Sequence, residues 1–381
     1  MAKIRIVDVA REAGVSLGTV SNALNHPERV RPETRKLIEE TIDRLGYLPN
    51  QSARLLAGGT NRAFGLVLPC YTHGCSVQIA NGAHNEAQRS GYDVIVLCAN
   101  ESVENEARYV RLLAGMQLAG ILIQPMGEPR RYEELDLPAP MVYLGASNAP
   151  QSALSVTADY EAQGSVVAEH VIARGAERIA VIGDPDIPQR AGRLRGIRAA
   201  LASNGIEHAQ IIEEGRSHGS TDGARLGAAL ASRAPGERPD AIIALTDVLA
   251  TGAIAGVQAC GLSVPDDIMV AGCDGNPLAW SGSVQLTTCS PAGYEFGRKG
   301  VQLLVRAIEE AQSERTVTRV RPSAASASFG MLSQMERSRA AAHEVIRPFL
   351  LERTSTGAGN ATRVAANTLA SIPEHDIGAY L

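Results

Sequence analysis

From residue 63 into the 270s the chain repeats one pattern: a short apolar run, a polar loop, and a longer stretch of helical periodicity. The runs Phe64–Pro69, Tyr92–Cys98 and Gly120–Ile123 are apolar almost throughout, with helix-period segments at 77–90 and 103–115 between them. The pattern restarts at Arg178–Gly183 and continues through Ala241–Leu245 and Ile268–Gly272. Wholly apolar strands alternating with helices imply parallel sheets covered on both faces. Two such sets imply two Rossmann-like lobes, with ligands expected at the carboxyl ends of the strands. Only 4% of residues are aromatic, so the core must rest on Ala, Val, Leu and Ile.

The first sixty residues read differently. Ile6, Val9 and Ala10 fall on one face of a short helix that Gly14 ends, because a left-handed turn position prefers glycine. Ser16 stands where an N-cap is wanted for a second helix over Leu17–Leu24, which turns Val20 and Leu24 inward. Pro32 opens a third helix with the stripe Leu37, Ile38, Thr41, Ile42 and Leu45, and Gly46 stops it. Helix, glycine turn, helix is the plan of a helix-turn-helix head. Net charge supports a division of labour. Residues 1–62 hold ten Lys/Arg against seven Asp/Glu, and the remainder 26 against 34. A basic head on an acidic body is expected when only the head meets phosphate.

The run Ile6-Val7-Asp8-Val9-Ala10-Arg11-Glu12-Ala13-Gly14-Val15-Ser16, with Thr19-Val20-Ser21, Ala23-Leu24-Asn25, Thr34-Arg35, Leu45-Gly46-Tyr47 and Pro49-Asn50, resembles the head of the lactose- and galactose-repressor family. The similarity continues to about residue 356. It implies a DNA-binding transcription regulator, in effect a repressor, with a head over 1–50, a hinge over 51–60, and a periplasmic-binding-protein-like core over 61–356. A flexible tail is expected over 357–381.

The same resemblance assigns roles. Ser16, Leu17, Gly18 and Asn22 take the groove-facing positions. Ser16 and Asn22 can hydrogen-bond base edges, whereas Leu17 and Gly18 offer a methyl contact or close approach. Thr19, Ser21, Asn25, Arg29, Arg31, Thr34 and Tyr47 are expected at phosphates. Arg31 stands where family members often carry a Ser or Thr cap. The stretch Asn50–Gly59 is far shorter than the ~12–15 residues that hold a helix alone in water, so by itself it reads as a linker. By resemblance it is a hinge helix formed on operator DNA. Leu56 would be its minor-groove wedge, with Asn50, Arg54 and Ala57 beside it, and it would pair with the same segment of a second copy.

Polar residues cluster in the loops after the core strands. Asp274 follows the 268–272 run, Thr246-Asp247 follows 241–245, and Arg193 matches the family's effector-binding arginine. His218 lies beyond Ile211-Ile212, and His73, Ser76 and Gln124 are expected from the first lobe. Read singly, Asp247 could cap a helix and Arg193 could be an exposed helical residue. Family members often place Asp after the strand Val142-Tyr143-Leu144, but this chain has Gly145. An aromatic wall is also missing at His73–Ser76. The ligand is therefore not a simple hexose held in the usual way, and Arg193 leaves room for an anionic or carbonyl-bearing effector.

Several functions are disfavoured. Neither G-x-G-x-x-G nor a P-loop occurs, so no nucleotide cofactor is expected. The six cysteines are scattered without C-x-x-C, which reads as reduced thiols and no metal. The start resembles no signal peptide and no eighteen-residue apolar run is present, so a cytoplasmic protein is expected rather than an exported transport-binding protein. Gly215-Arg216-Ser217-His218-Gly219 fits the esterase elbow, with Asp240, Asp247, Asp274 and His343 downstream, but five residues with two glycines arise easily by chance. Residues 320–343 read as a solvated insert with about one helical turn, followed by a last strand at 346–353. The tail lacks the leucine heptads of a tetramerising coiled coil.

Overall fold

The computed structural model describes residues 4–25, 29–47, 61–71, 74–133, 135, 137–206, 210–212, 219–320, 342–357 and 363–364. The chain forms two compact units, Met1–Arg62 and Ala63–Leu381.

The head is three helices, α1 (Ile6–Glu12), α2 (Leu17–Asn25) and α3 (Pro32–Leu45). Each boundary has a local cause. The Asp8 carboxylate accepts the Arg5 backbone N–H at 2.9 Å, Ser16 Oγ accepts from Thr19 N at 3.0 Å, and Gly14 and Gly46 take φ of 64° and 65°. Val9, Ala10, Ala13, Val20 and Ile38 form the buried centre, with Ile6, Leu24, Ile42, Leu45 and Tyr47 packed at its margin. Leu37, expected in the inward stripe, faces solvent at 46% exposure. The stripe turns away from it because Ile38, Thr41, Ile42 and Leu45 already span the buried arc.

The core holds two sheets. The first contains β1 (Ala63–Leu68), β2 (Asp93–Cys98), β3 (Gly120–Ile123), β4 (Met141–Leu144), β5 (Leu154–Ala158) and β11 (His343–Ile346). Their order is β11-β5-β4-β3-β1-β2, parallel throughout. The second contains β6 (Ile179–Ile182), β7 (Gln210–Ile212), β8 (Ala241–Ala244), β9 (Met269–Gly272), β10 (Thr287–Ser290), β12 (Phe349–Glu352) and β13 (Arg363–Val364). Its order is β13-β12-β10-β9-β8-β6-β7, with only β12 and β13 antiparallel to their neighbours.

Helices α4 (Gly74–Arg89), α5 (Val103–Gly115) and α10 (Gly293–Val320) serve the first sheet. Helices α6 (Tyr160–Ala173), α7 (Pro188–Ser203), α8 (Ser220–Ala231) and α9 (Asp247–Ala259) serve the second. The chain crosses between the lobes after β5, after β10 and after β11.

Scarce aromatics are compensated by backbone approach. A Cβ added at Gly223 or Gly252 would collide with the backbone of α9 or α8 respectively, and one at Gly82 or Gly297 with that of α10 or α4. Helices lacking large side chains thus gain contact by lying close together.

Three expectations need correction. The helix near 293–312 runs on to Val320, further than expected. His343 is not in a loop: β11 pairs with β5, and the expected single strand at 346–353 is two, one in each lobe. The break falls at Arg347-Pro348, where the chain changes sheets. Residues 363–364 pair with β12, so the tail is not wholly free of the core. Residues 321–341 lie outside the described residues.

Candidate functional site

The carboxyl ends of β8, β9 and β10 converge on a buried polar network. Asp274 follows β9 and its Oδ1 accepts Arg193 Nη1 at 2.8 Å, both side chains being about 5% exposed. Arg193 Nη1 also donates to the Leu245 carbonyl at 2.7 Å, and Nε donates to Gln163 Oε1 at 2.9 Å. Asp274 Oδ2 accepts the Asp247 backbone N–H at 3.0 Å. Asp247 in return accepts from Asp274 N, Asn276 N and Thr288 Oγ1. The two aspartates therefore lock the β8 and β9 loops together. Thr246, not Asp247, is the cap of α9, its hydroxyl accepting from Leu249 N. Arg193 is not an exposed helical residue; it is nearly buried, because α6 and α7 approach closely at Gly164 and Gly196.

The first lobe faces this network. Ser76 is fully buried and donates to Gln124 Oε1 at 2.9 Å. Gln78 Nε2 reaches across to the Gly275 carbonyl at 2.7 Å. The Gly145 carbonyl accepts both Tyr160 OH and Gln189 Nε2 at 2.8 Å. Gly145 itself has φ of 71°, and a Cβ there would meet Tyr160 OH at 3.1 Å. A side chain is thus disfavoured at this position, which explains why no carboxylate stands there. Cys75, beside Ser76, has its thiol pushed up to about 12 by burial and by Asp274, with Arg193 opposing. Its raised pKa makes it an inert wall. His73 and His218, expected at this site, lie outside the described residues.

Asp247 is pushed up to about 6, first by burial and then by Asp274, against its three donors. Arg193 faces it through Asp274, and the buried Arg353 through space. A carboxyl raised in the folded state stabilises the fold below about pH 4, and that contribution is lost as pH rises toward 6. The stability of the wild type relative to Asp247→Asn should therefore fall between pH 4 and 6 in urea titrations. A constant difference would contradict the raised value.

Sequence reasoning missed Gln163, Thr288, Tyr160 and Gln78. Gln163 is the keystone: Oε1 holds Arg193, while Nε2 donates to the carbonyls of Cys273 at 2.7 Å and Cys289 at 2.6 Å. One signal was available, a lone amide on the otherwise apolar buried face Val167, Ala168, Val171 of α6.

On the head, Leu17, Gly18 and Asn22 share an exposed face of α2, with Leu17 48% exposed. Ser16 Oγ is engaged at 2.8 Å with Thr19 Oγ1 as well as capping the helix. Ser21 and Thr34 are half-buried; Arg29 and Arg31 are exposed, and Arg31 contributes no side-chain cap to α3. Tyr47 packs against the head core, and burial raises its hydroxyl pKa. Asn25 ends α2. Asn50, Arg54, Leu56 and Ala57 lie outside the described residues, as does Ser217. His343 is bound to Ser155 Oγ at 2.6 Å and to the Gln151 carbonyl at 3.1 Å, so both ring nitrogens are engaged at the β5–β11 edge.

Residues 5–50 match the family of bacterial regulatory proteins, lacI family, and residues 168–326 match a periplasmic binding protein-like domain. Catabolite control protein A of Priestia megaterium is 31% identical over 309 residues, spanning 80% of this chain and 92% of the relative. The HTH-type transcriptional repressor PurR of Aliivibrio fischeri is 28% identical over 322 residues, spanning 83% and 95%. The crystal structure of the Lac repressor dimer bound to operator and the anti-inducer ONPF shares the fold. It has a TM-score of 0.71 and 22% identity, over 93% of this chain and 99% of that one. The Aliivibrio relative is a transcriptional repressor. Among the described residues no helix is long and apolar enough to cross a membrane.

Proposed function

The chain belongs to the lacI family of bacterial regulatory proteins, a DNA-binding regulator under small-molecule control, and on that premise we propose how its own residues divide the work. Two copies associate as a homodimer in the cytoplasm, and their heads occupy half-sites about one helical turn or a multiple apart. Ser16, Leu17, Gly18 and Asn22 face the base edges. Thr19, Ser21, Asn25, Arg29, Arg31, Thr34 and Tyr47 set register on the backbone. Asn50, Arg54, Leu56 and Ala57 belong to a hinge that folds on the operator. The effector lies against Arg193, Thr246, Asp247, Asp274, Ser76 and Gln124, with His73 and His218 as further candidates. The observation that carries this reading is the nearly buried Arg193–Asp274 pair at the strand ends, facing Ser76 and Gln124 of the other lobe. A ligand touching both lobes favours one lobe arrangement, and only such differential contact can shift operator affinity.

The test is titration of the full chain with duplexes from its own promoter region. Specific binding should weaken steeply with salt, log K falling by about 0.9 per phosphate contact for each unit of log salt. Leu56→Ala should weaken specific binding far more than non-specific binding, since a wedge acts only on a correctly seated site. Equal losses on both kinds of duplex count against the hinge role.

A further inference from the structure

We propose, resting on the reading that this site holds the effector, that the effector is an anion rich in hydrogen-bond acceptors, a carboxylate or a phosphate ester. Apart from the buried Gln78 Oε1, the side-chain groups that the site leaves without partners among the described residues are donors. Arg193 uses Nε and Nη1, while its Nη2 makes no hydrogen bond to any described residue. Gln124 accepts from Ser76 through Oε1, and its Nε2 likewise donates to none. Helix α7 begins after the carboxyl end of β6 with Ile187 as an N-cap that supplies no side-chain acceptor. The backbone N–H of Gln189 in its first turn makes no described hydrogen bond, although the Gln189 side chain reaches Gly145 in the other lobe.

The acceptors are engaged already. Asp274 is held by Arg193 and by the Asp247 N–H, Asp247 by three donors, and the Gly145 carbonyl by Tyr160 and Gln189. A polyhydroxyl ligand brings donors as well as acceptors, and its donors would compete for carboxylates that already accept two or three hydrogen bonds each. An anion brings acceptors only, which matches what is left over. Arg190 adds a second guanidinium one turn before Arg193. Its side chain is 11% exposed and faces Asp186 at 3.0 Å, a carboxylate itself 41% exposed. Asp274 and Asp184 also act on Arg190, and a bound anion would compete with these carboxylates for its guanidinium. The uncapped start of α7 acts in the same direction, because helix N-termini favour negative charge.

The experiment is thermal unfolding of the full chain at constant ionic strength. The probes are inorganic phosphate, glycerol 3-phosphate and malonate, against glycerol and glucose. At least one anion should raise Tm saturably, and neither neutral compound should. In Gln124→Glu and in Arg190→Gln the apparent affinity for that anion should fall about 10–100-fold, the usual effect of losing one hydrogen bond to a charged group. The proposal is overturned by flat curves with all three anions, by stabilisation from the neutral compounds alone, or by anion binding unaltered in both variants. Operator binding measured on the same samples separates the two levels. An anion that binds through these residues without changing operator affinity defeats the effector reading and leaves the anion site standing. A neutral compound that changes operator affinity does the reverse.

Discussion

Asp274→Ala is expected to lower the unfolding free energy by about 3–5 kcal/mol, because it leaves the Arg193 cation buried without its counter-charge. Arg193 keeps the Gln163 and Leu245 oxygens, which places the loss toward the lower end. The Asp247 backbone N–H loses its acceptor as well, which adds to it. The double variant Arg193→Met/Asp274→Ala should recover part of the loss, since removing both charges removes the desolvation penalty with them. Urea titration of the two variants decides the matter. If the double variant is less stable than the single one, the pair is not the uncompensated-charge problem described here. In function, Asp274→Ala should retain operator binding and lose the effector response.

Gly164→Ala should cost roughly 1–3 kcal/mol, the range for overpacking a close contact. The new methyl would sit far inside van der Waals distance of the Arg193 carbonyl oxygen, and a backbone atom cannot move aside by changing rotamer. Helices α6 and α7 must separate, carrying Gln163 away from Arg193. Helix propensity alone predicts the opposite sign, since Ala is favoured over Gly by about 1 kcal/mol in a helix. Gly115 in α5 has nothing within 4 Å of an added Cβ and provides the control. Gly115→Ala should be neutral or stabilising by up to about 1 kcal/mol. Equal effects at the two positions, measured by denaturant titration, would show that backbone approach does not build this site.

Asp274, Asp247 and Arg193 could be found in the sequence because the strand ends of an open α/β sheet are where ligands meet it. Their arrangement could not. That Arg193 is paired, buried and held by Gln163 depends on how near α6 lies to β9, β10 and α7, and glycines set that distance without any local motif. Strand β11 was illegible for another reason. As an edge strand with alternating exposure and Val345 63% exposed, it offers no apolar run to read. The head was the easier part, since caps, glycine turns and Pro32 act through neighbours in sequence. Leu37 was misplaced there because the periodicity defines an arc without fixing its edge.

The central claim is that a small molecule seated at Arg193 and Asp274 changes how tightly the head holds its operator. Fluorescence anisotropy of labelled promoter DNA, with and without the dialysable metabolites of the host cell, measures this most directly. The wild type should change its operator affinity by about 5–150-fold, and Asp274→Ala should not respond. The same response in both proteins, or no duplex preferred by either, contradicts the account.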